Sequence, residues 1–233
     1  MMENWIEITA EDGAFEAFVA RPDTTEPVPA VVVVQEIFGV NEDLRTTCRE
    51  VASHGFVALS PDLFWRSEPR IEMNRLDEAE WQRAFGLYKS FDLDRGVRDV
   101  AAAVAAARTL PGVTGKVAVM GFCLGGLITY LTAARTDVNA AAAYYGGSTE
   151  KHLGEAGKLT HPLLMHLAGE DEYMSKEAQA EIVAALAGND LAEVNIYPGC
   201  NHAFARHSGD HYDAAAAALA NERTFGFLER TLR

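Results

Sequence analysis

Six short runs are apolar on both of their faces, and longer segments of helical periodicity separate most of them. The runs are PAVVVVQ (29–35), FVALS (56–60), KVAVM (116–120), AAAAYY (140–145), PLLMHL (162–167) and EVNIY (193–197). The amphipathic segments lie near 42–54, 74–109, 124–135, 175–187 and 210–231. A strand that is apolar on both faces must be covered on both, so this alternation predicts a mostly parallel central sheet with helices on each side. The first thirty residues depart from the pattern. WIEIT and AFEAFVA alternate apolar and polar residues around Asp12-Gly13, which predicts an antiparallel hairpin at the sheet edge. Pro22 to Pro29 reads as a polar turn rather than a linker. With 233 residues, 48% of them hydrophobic, the chain can bury one sizeable core, and a single domain over 1–233 is expected.

A formal net charge of -14 without any Lys/Arg cluster excludes nucleic acid and anionic membrane as expected partners. No stretch reaches the length of a membrane span, and Met1-Met2-Glu3-Asn4-Trp5 has neither the basic nor the apolar region of a secretory signal. A soluble cytoplasmic monomer acting on a small molecule is therefore the expectation. Cys48, Cys123 and Cys200 are odd in number, widely spaced and without a C-x-x-C pair, so each reads as a free thiol. No carboxylate motif accompanies His202, His207 and His211, whose irregular spacing does not fit a zinc site. His166, inside an apolar run, reads as a satisfied core histidine.

Directly after KVAVM comes Gly121-Phe122-Cys123-Leu124-Gly125-Gly126, a G-x-nucleophile-x-G turn leading into the helical segment 124–135. Such a turn exposes its central side chain at the carboxyl end of a parallel strand, where open α/β sheets bind ligands. The helix N-terminus favours a thiolate at Cys123. A triad then requires an acid and a later histidine, each after a subsequent strand. Glu170-Asp171-Glu172 follows PLLMHL and His202 follows EVNIYPG. Asp171 is the leading acid, with Glu170 and Glu172 as alternatives. The oxyanion hole would use the Leu124 N–H and one from the loop QEIFG, for which Ile37 is the candidate. Glu36, a carboxylate ending a run of four valines, needs a partner, and a cysteine thiol is one option.

These segments resemble the dienelactone hydrolases (carboxymethylenebutenolidases), cysteine hydrolases of the α/β-hydrolase fold. The similarity runs through QEIFG (35–39), SPDLFWR (60–66), SFDLDRGVRD (90–99), GFCLGG (121–126), YYGG (144–147), GEDEY (169–173), GCNHAFAR (199–206) and ANERTFGFL (220–228). The resemblance implies a Cys123, Asp171, His202 triad, with Glu36 assisting deprotonation of the thiol when substrate arrives. It implies the opening of dienelactone to maleylacetate without metal or cofactor. Family members grip the substrate carboxylate with arginines. Arg206 matches one of them, but the other aligns with Trp81. Arg83 lies about 200° further round a helix and cannot replace it. Trp81, Phe85 and Tyr88 form one apolar stripe, and together with Phe38 and Tyr144 they are candidate substrate contacts. Two other readings compete: a broader carboxylesterase or thioesterase, and a thiol sensor without turnover.

Overall fold

The computed structural model describes all 233 residues, which divide into two compact units, Met1–Ala118 and Val119–Arg233. In the first unit, β1 (Met2–Ala10) and β2 (Gly13–Arg21) form the expected antiparallel hairpin, closed by the pair Ala10↔Gly13. β2 also pairs antiparallel with β4 (Val57–Pro61), which runs parallel to β3 (Val28–Val34). The order here is β1-β2-β4-β3-β5, and β5 (Val113–Phe122) carries the chain into the second unit. Ala30 to Val34 are fully buried, as a run apolar on both faces requires.

The amphipathic segment near 74–109 holds two helices, α2 (Glu78–Ser90) and α3 (Leu93–Thr109); α1 (Glu42–Ser53) precedes them. The break falls at Phe91-Asp92 because the Asp92 side chain accepts the Arg95 N–H and caps a new helix. Two of the segments that carried the resemblance meet in this unit. Asp99 of α3, only 1% exposed, accepts from Trp65 Nε1 (3.1 Å) and from Arg66 Nη1 and Nη2 (2.6 and 3.0 Å). Arg66 also binds Asp12 in the hairpin turn at 2.9 and 2.6 Å. SPDLFWR and SFDLDRGVRD are thus joined by one buried carboxylate.

In the second unit the order is β5-β6-β7-β8, with β6 (Ala140–Tyr144), β7 (Leu163–Ala168) and β8 (Ala192–Tyr197) mutually parallel. The helices are α4 (Leu124–Arg135), α5 (Lys176–Leu186) and α6 (Ala214–Leu232). A 3-10 helix at Thr149–Lys158 was not expected from periodicity. No helix is long and apolar enough to cross a membrane.

Removing Asp99 leaves a partly buried guanidinium and an indole N–H short of their acceptor. Asp99→Ala is expected to lower the unfolding free energy, measured in urea, by about 3 kcal/mol or more. Asp12→Ala, at an exposed partner of the same Arg66, is expected to cost far less. Equal effects would show that the buried carboxylate is no more important than the exposed one.

Candidate active site

β5 ends at Phe122 and α4 starts at Leu124, so Cys123 alone makes the turn between them, with φ 54° and ψ -116°. A left-handed φ is strained for any residue with a Cβ, and it persists only where the surroundings hold it. Here the Cys123 N–H donates to the Tyr144 carbonyl (3.1 Å), and the Cys123 carbonyl accepts from Gly126 and Leu127 N–H (2.9 and 3.2 Å). The motif glycines make this approach possible. A Cβ at Gly121 would collide with the Gly125 carbonyl, and one at Gly126 would collide with the Tyr144 carbonyl. Leu124 heads α4, so its N–H has no intrahelical acceptor and is available to an oxyanion.

The three thiols differ in setting. Cys48 is fully buried, and burial pushes its thiol far above the usual range. Cys200 is also buried, and its thiol is raised for the same reason. Cys123 alone is half-exposed and heads a helix.

Asp171 follows β7 and His202 follows β8. Both Asp171 oxygens lie against His202 Nδ1, at 3.0 and 2.9 Å, so this nitrogen carries the proton. The two loops are joined by Gly169 N–H to Tyr197 O and Glu170 N–H to Cys200 O, each 2.8 Å. Geometry separates the three acids. Glu170 pairs with Lys176 at 2.6 Å and Glu172 is exposed, so only Asp171 hydrogen-bonds to His202. His202 itself is 4% exposed. Burial pulls its imidazole down, but the charge of Cys123 and the hydrogen bond to Asp171 outweigh this and push it up to about 10. These neighbours therefore hold the His202 ring protonated at neutral pH. Nε2, on the far side of the ring from Asp171, has no hydrogen bond of regular geometry, which leaves it the atom for proton exchange.

Two tyrosines hold the ring edge to face. Tyr145 lies 5.1 Å from His202 and Tyr173 lies 4.8 Å from it. Tyr173 escaped the sequence analysis, although the GEDEY segment contains it. Its hydroxyl is raised by burial and by the charges of Glu172, Cys123 and Asp171, with Arg206 opposing them. Arg206 therefore shares this neighbourhood with the triad residues.

Tyr144 needs correcting. It is 0% exposed, with its hydroxyl bonded to Thr224 Oγ1 (2.6 Å) and to Asn221 Oδ1 (3.1 Å), and so cannot touch substrate. It belongs to a buried network in which His166 meets the Tyr197 hydroxyl through Nδ1 (2.8 Å) and Thr224 through Nε2 (2.9 Å). The core reading of His166 agrees with this arrangement.

In the first unit the loop QEIFG is clamped by the segment after residue 70. Met73 N–H donates to the Phe38 carbonyl (3.0 Å), Asn41 Nδ2 to the Met73 carbonyl (3.3 Å), and Gly39 bridges Glu72. Gly39 has φ 77°, and a Cβ there would collide with the Ile71 carbonyl. Ile37 and Phe38 are buried and Glu36 is half-buried. On α2, Trp81 stacks on Phe85 (5.3 Å between ring centres) and Phe85 on Tyr88 (6.0 Å). All three rings stay partly exposed, while Arg83 points to Glu68 at 2.5 Å.

Residues 15–232 match the model of the dienelactone hydrolase family. The chain belongs to that family. Its similarity to the carboxymethylenebutenolidase of Pseudomonas putida is 39% identity over 229 residues, 98% of this chain and 97% of the relative. Among solved structures, a dienelactone hydrolase-like promiscuous phosphotriesterase from metagenomic libraries is 23% identical with a TM-score of 0.84, covering 100% of this chain and 99% of that one. An alpha/beta hydrolase from Penicillium sp. sh18 is 16% identical with a TM-score of 0.74, over the same shares of the two chains. This family member has the α/β-hydrolase fold and is a hydrolase acting on ester or lactone bonds.

The buried network makes acid stability testable. Burial, reinforced by the charge of Arg223, lowers the His166 imidazole from 6.5 to about 3, so the folded chain keeps it neutral where the unfolded chain protonates it. Stability is then full above about 6.5 and falls by roughly 1.4 kcal/mol per pH unit on going below it, until the folded ring itself titrates. Between pH 7.5 and 5.0, His166→Gln is expected to lose about 2 kcal/mol less unfolding free energy than the wild type in urea titrations. Equal losses would mean that the ring is already charged in the fold.

Proposed function

We propose that this family member opens the ring of dienelactone to maleylacetate through a thioester on Cys123, acting as a single-domain monomer without metal or cofactor. The observation that carries the reading is the strained Cys123 turn in the same unit as a buried His202–Asp171 pair. In this scheme the Cys123 thiolate bonds to the lactone carbonyl carbon, and the carbonyl electron pair moves onto oxygen. The Leu124 N–H, helped by the Ile37 N–H, stabilises that oxyanion. Collapse breaks the ring C–O bond and expels an enolate, which takes the proton of the His202 imidazolium. Neutral His202 then removes a proton from the water that attacks the thioester, Sγ leaves as thiolate, and the ion pair is restored. An enolate leaves without prior protonation. An amine needs it, so anilides are expected to be poor substrates.

The parts given to Glu36, in deprotonating Cys123, and to Ile37 rest on the family resemblance. So does the use of Arg206 against the substrate carboxylate, with Phe38, Phe85 and Tyr88 as apolar contacts. Trp81 favours a second reading. Where an arginine would supply a charge-assisted hydrogen bond of about 1.5 to 3 kcal/mol, an indole supplies none. A broader carboxylesterase or thioesterase with an uncharged substrate fits that exchange.

The test is steady-state turnover of dienelactone beside p-nitrophenyl acetate. Cys123→Ala is expected to lose at least about a thousandfold in kcat on both substrates. Glu36→Gln is expected to lower kcat about tenfold or more. Trp81→Arg is expected to raise kcat/KM for dienelactone about tenfold, leaving the uncharged ester nearly unchanged. Ester turnover with no lactone preference, unmoved by Trp81→Arg, would favour the broader esterase. A single stoichiometric reaction without turnover would indicate a thiol sensor.

A further inference from the structure

The segment between β8 and α6 carries two polar side chains for which the scheme above has no task, Asn201 and His211. Asn201 Oδ1 accepts two backbone N–H groups at once, from Glu172 (3.0 Å) and from His202 (2.6 Å). These are the amide following Asp171 and the amide of His202 itself. One side-chain carbonyl oxygen therefore joins the acid loop to the base loop. His211 holds the same residue from its other end, since its Nδ1 lies 3.0 Å from the His202 carbonyl. A carbonyl only accepts, which puts the proton of His211 on Nδ1 and leaves Nε2 as an acceptor. Asn201 Nδ2, 3.4 Å away, is a donor suited to it. The Glu172 carboxylate, 3.7 Å from Nδ1, lies beside the donor end of the ring.

The loop needs such support. Ala203, next after His202, has φ 63°, a strained value for a residue with a Cβ, and Gly199 before it has φ 76°. No helix or strand fixes His202, so its peptide groups depend on side chains.

We infer that Asn201 and His211 are positioning residues which hold His202 at both of its peptide groups and keep its ring between Asp171 and Cys123. The inference rests on the reading of Cys123, Asp171 and His202 as the catalytic machinery. Neither residue touches the reacting atoms. Their loss therefore acts on the geometry of proton transfer, where a displacement of about 1 Å can cost a hundredfold in rate. The effect falls on kcat more than on KM.

The experiment compares His211→Phe, His211→Asn and Asn201→Ala in kcat, KM and melting temperature, with p-nitrophenyl acetate as substrate and Cys123→Ala as control. His211→Phe removes the donor. His211→Asn keeps an amide nitrogen where Nδ1 stands. Expected are an unchanged melting temperature for the two His211 variants, a kcat about tenfold or more lower in His211→Phe with KM within about threefold, and recovery to within about threefold of wild type in His211→Asn. Asn201→Ala is expected to lose at least as much kcat as His211→Phe. Full activity in His211→Phe, or an equal loss in the Phe and Asn variants, overturns the inference even if Asn201→Ala is too unstable to assay. An inactive Cys123→Ala beside a fully active His211→Phe overturns this inference alone. Turnover surviving in Cys123→Ala overturns the nucleophile and the positioning role together.

Discussion

One backbone conformation governs the second unit, the left-handed turn at Cys123. It costs on the order of 1–3 kcal/mol, and the packing around it must return at least that much. The return comes from contacts that only small residues permit. Gly126 lies against the Tyr144 carbonyl, and Gly146 lies so near Leu127 that a Cβ there would stand 2.6 Å from its N–H nitrogen. α4 can therefore lie directly on the end of β6, and the Cys123 N–H reaches the Tyr144 carbonyl. The segments GFCLGG and YYGG are two sides of this one contact. Tyr144 serves this turn through its backbone and its packing, which explains why a buried tyrosine belongs to a motif beside Cys123.

Two buried histidines show how partners, rather than burial, decide charge. His166 and His202 are 0% and 4% exposed. The first is flanked by hydroxyl groups, which satisfy a neutral ring without stabilising a cation, and it falls to about 3. The second meets the Asp171 carboxylate and Cys123 and rises to about 10. Each unit of that separation corresponds to about 1.4 kcal/mol of differential interaction. The same low-polarity interior produces both outcomes. It penalises the charged ring at His166 and strengthens every attraction acting on the charged ring at His202.

The sheet, the hairpin and the positions of Cys123, Asp171 and His202 after successive strands were legible because they rest on local patterns: doubly apolar runs, Asp12-Gly13, and the glycine-flanked turn at Cys123. The break at Asp92 was also written locally, as an aspartate three residues before the N–H it caps, but continuous amphipathicity over 74–109 concealed it. Tyr144 was misjudged for a different reason. The partners of its hydroxyl, Asn221 and Thr224, lie far along the chain. Periodicity carries no information about such contacts. The choice of Asp171 over Glu170 and Glu172 likewise needed coordinates, because all three share one loop and differ only in direction.

Burial is distributed unequally along this chain. The strained turn at Cys123, Asp171 and His202 all lie in Val119–Arg233 and are held by buried contacts, so substitutions there carry a cost in stability. α2 is different. Ala84 is its one fully buried residue, and its aromatic ladder remains partly open to solvent. An exposed helix face can exchange a cation for an indole with little effect on folding, where surface changes are usually within about 0.5 kcal/mol. The stacking of Trp81 on Phe85, and of the Lys89 ammonium 4.4 Å above the Phe85 ring, supports the indole locally. With a net charge of -14, the chain as a whole gives anions no long-range attraction to offset the lack of a cation at position 81.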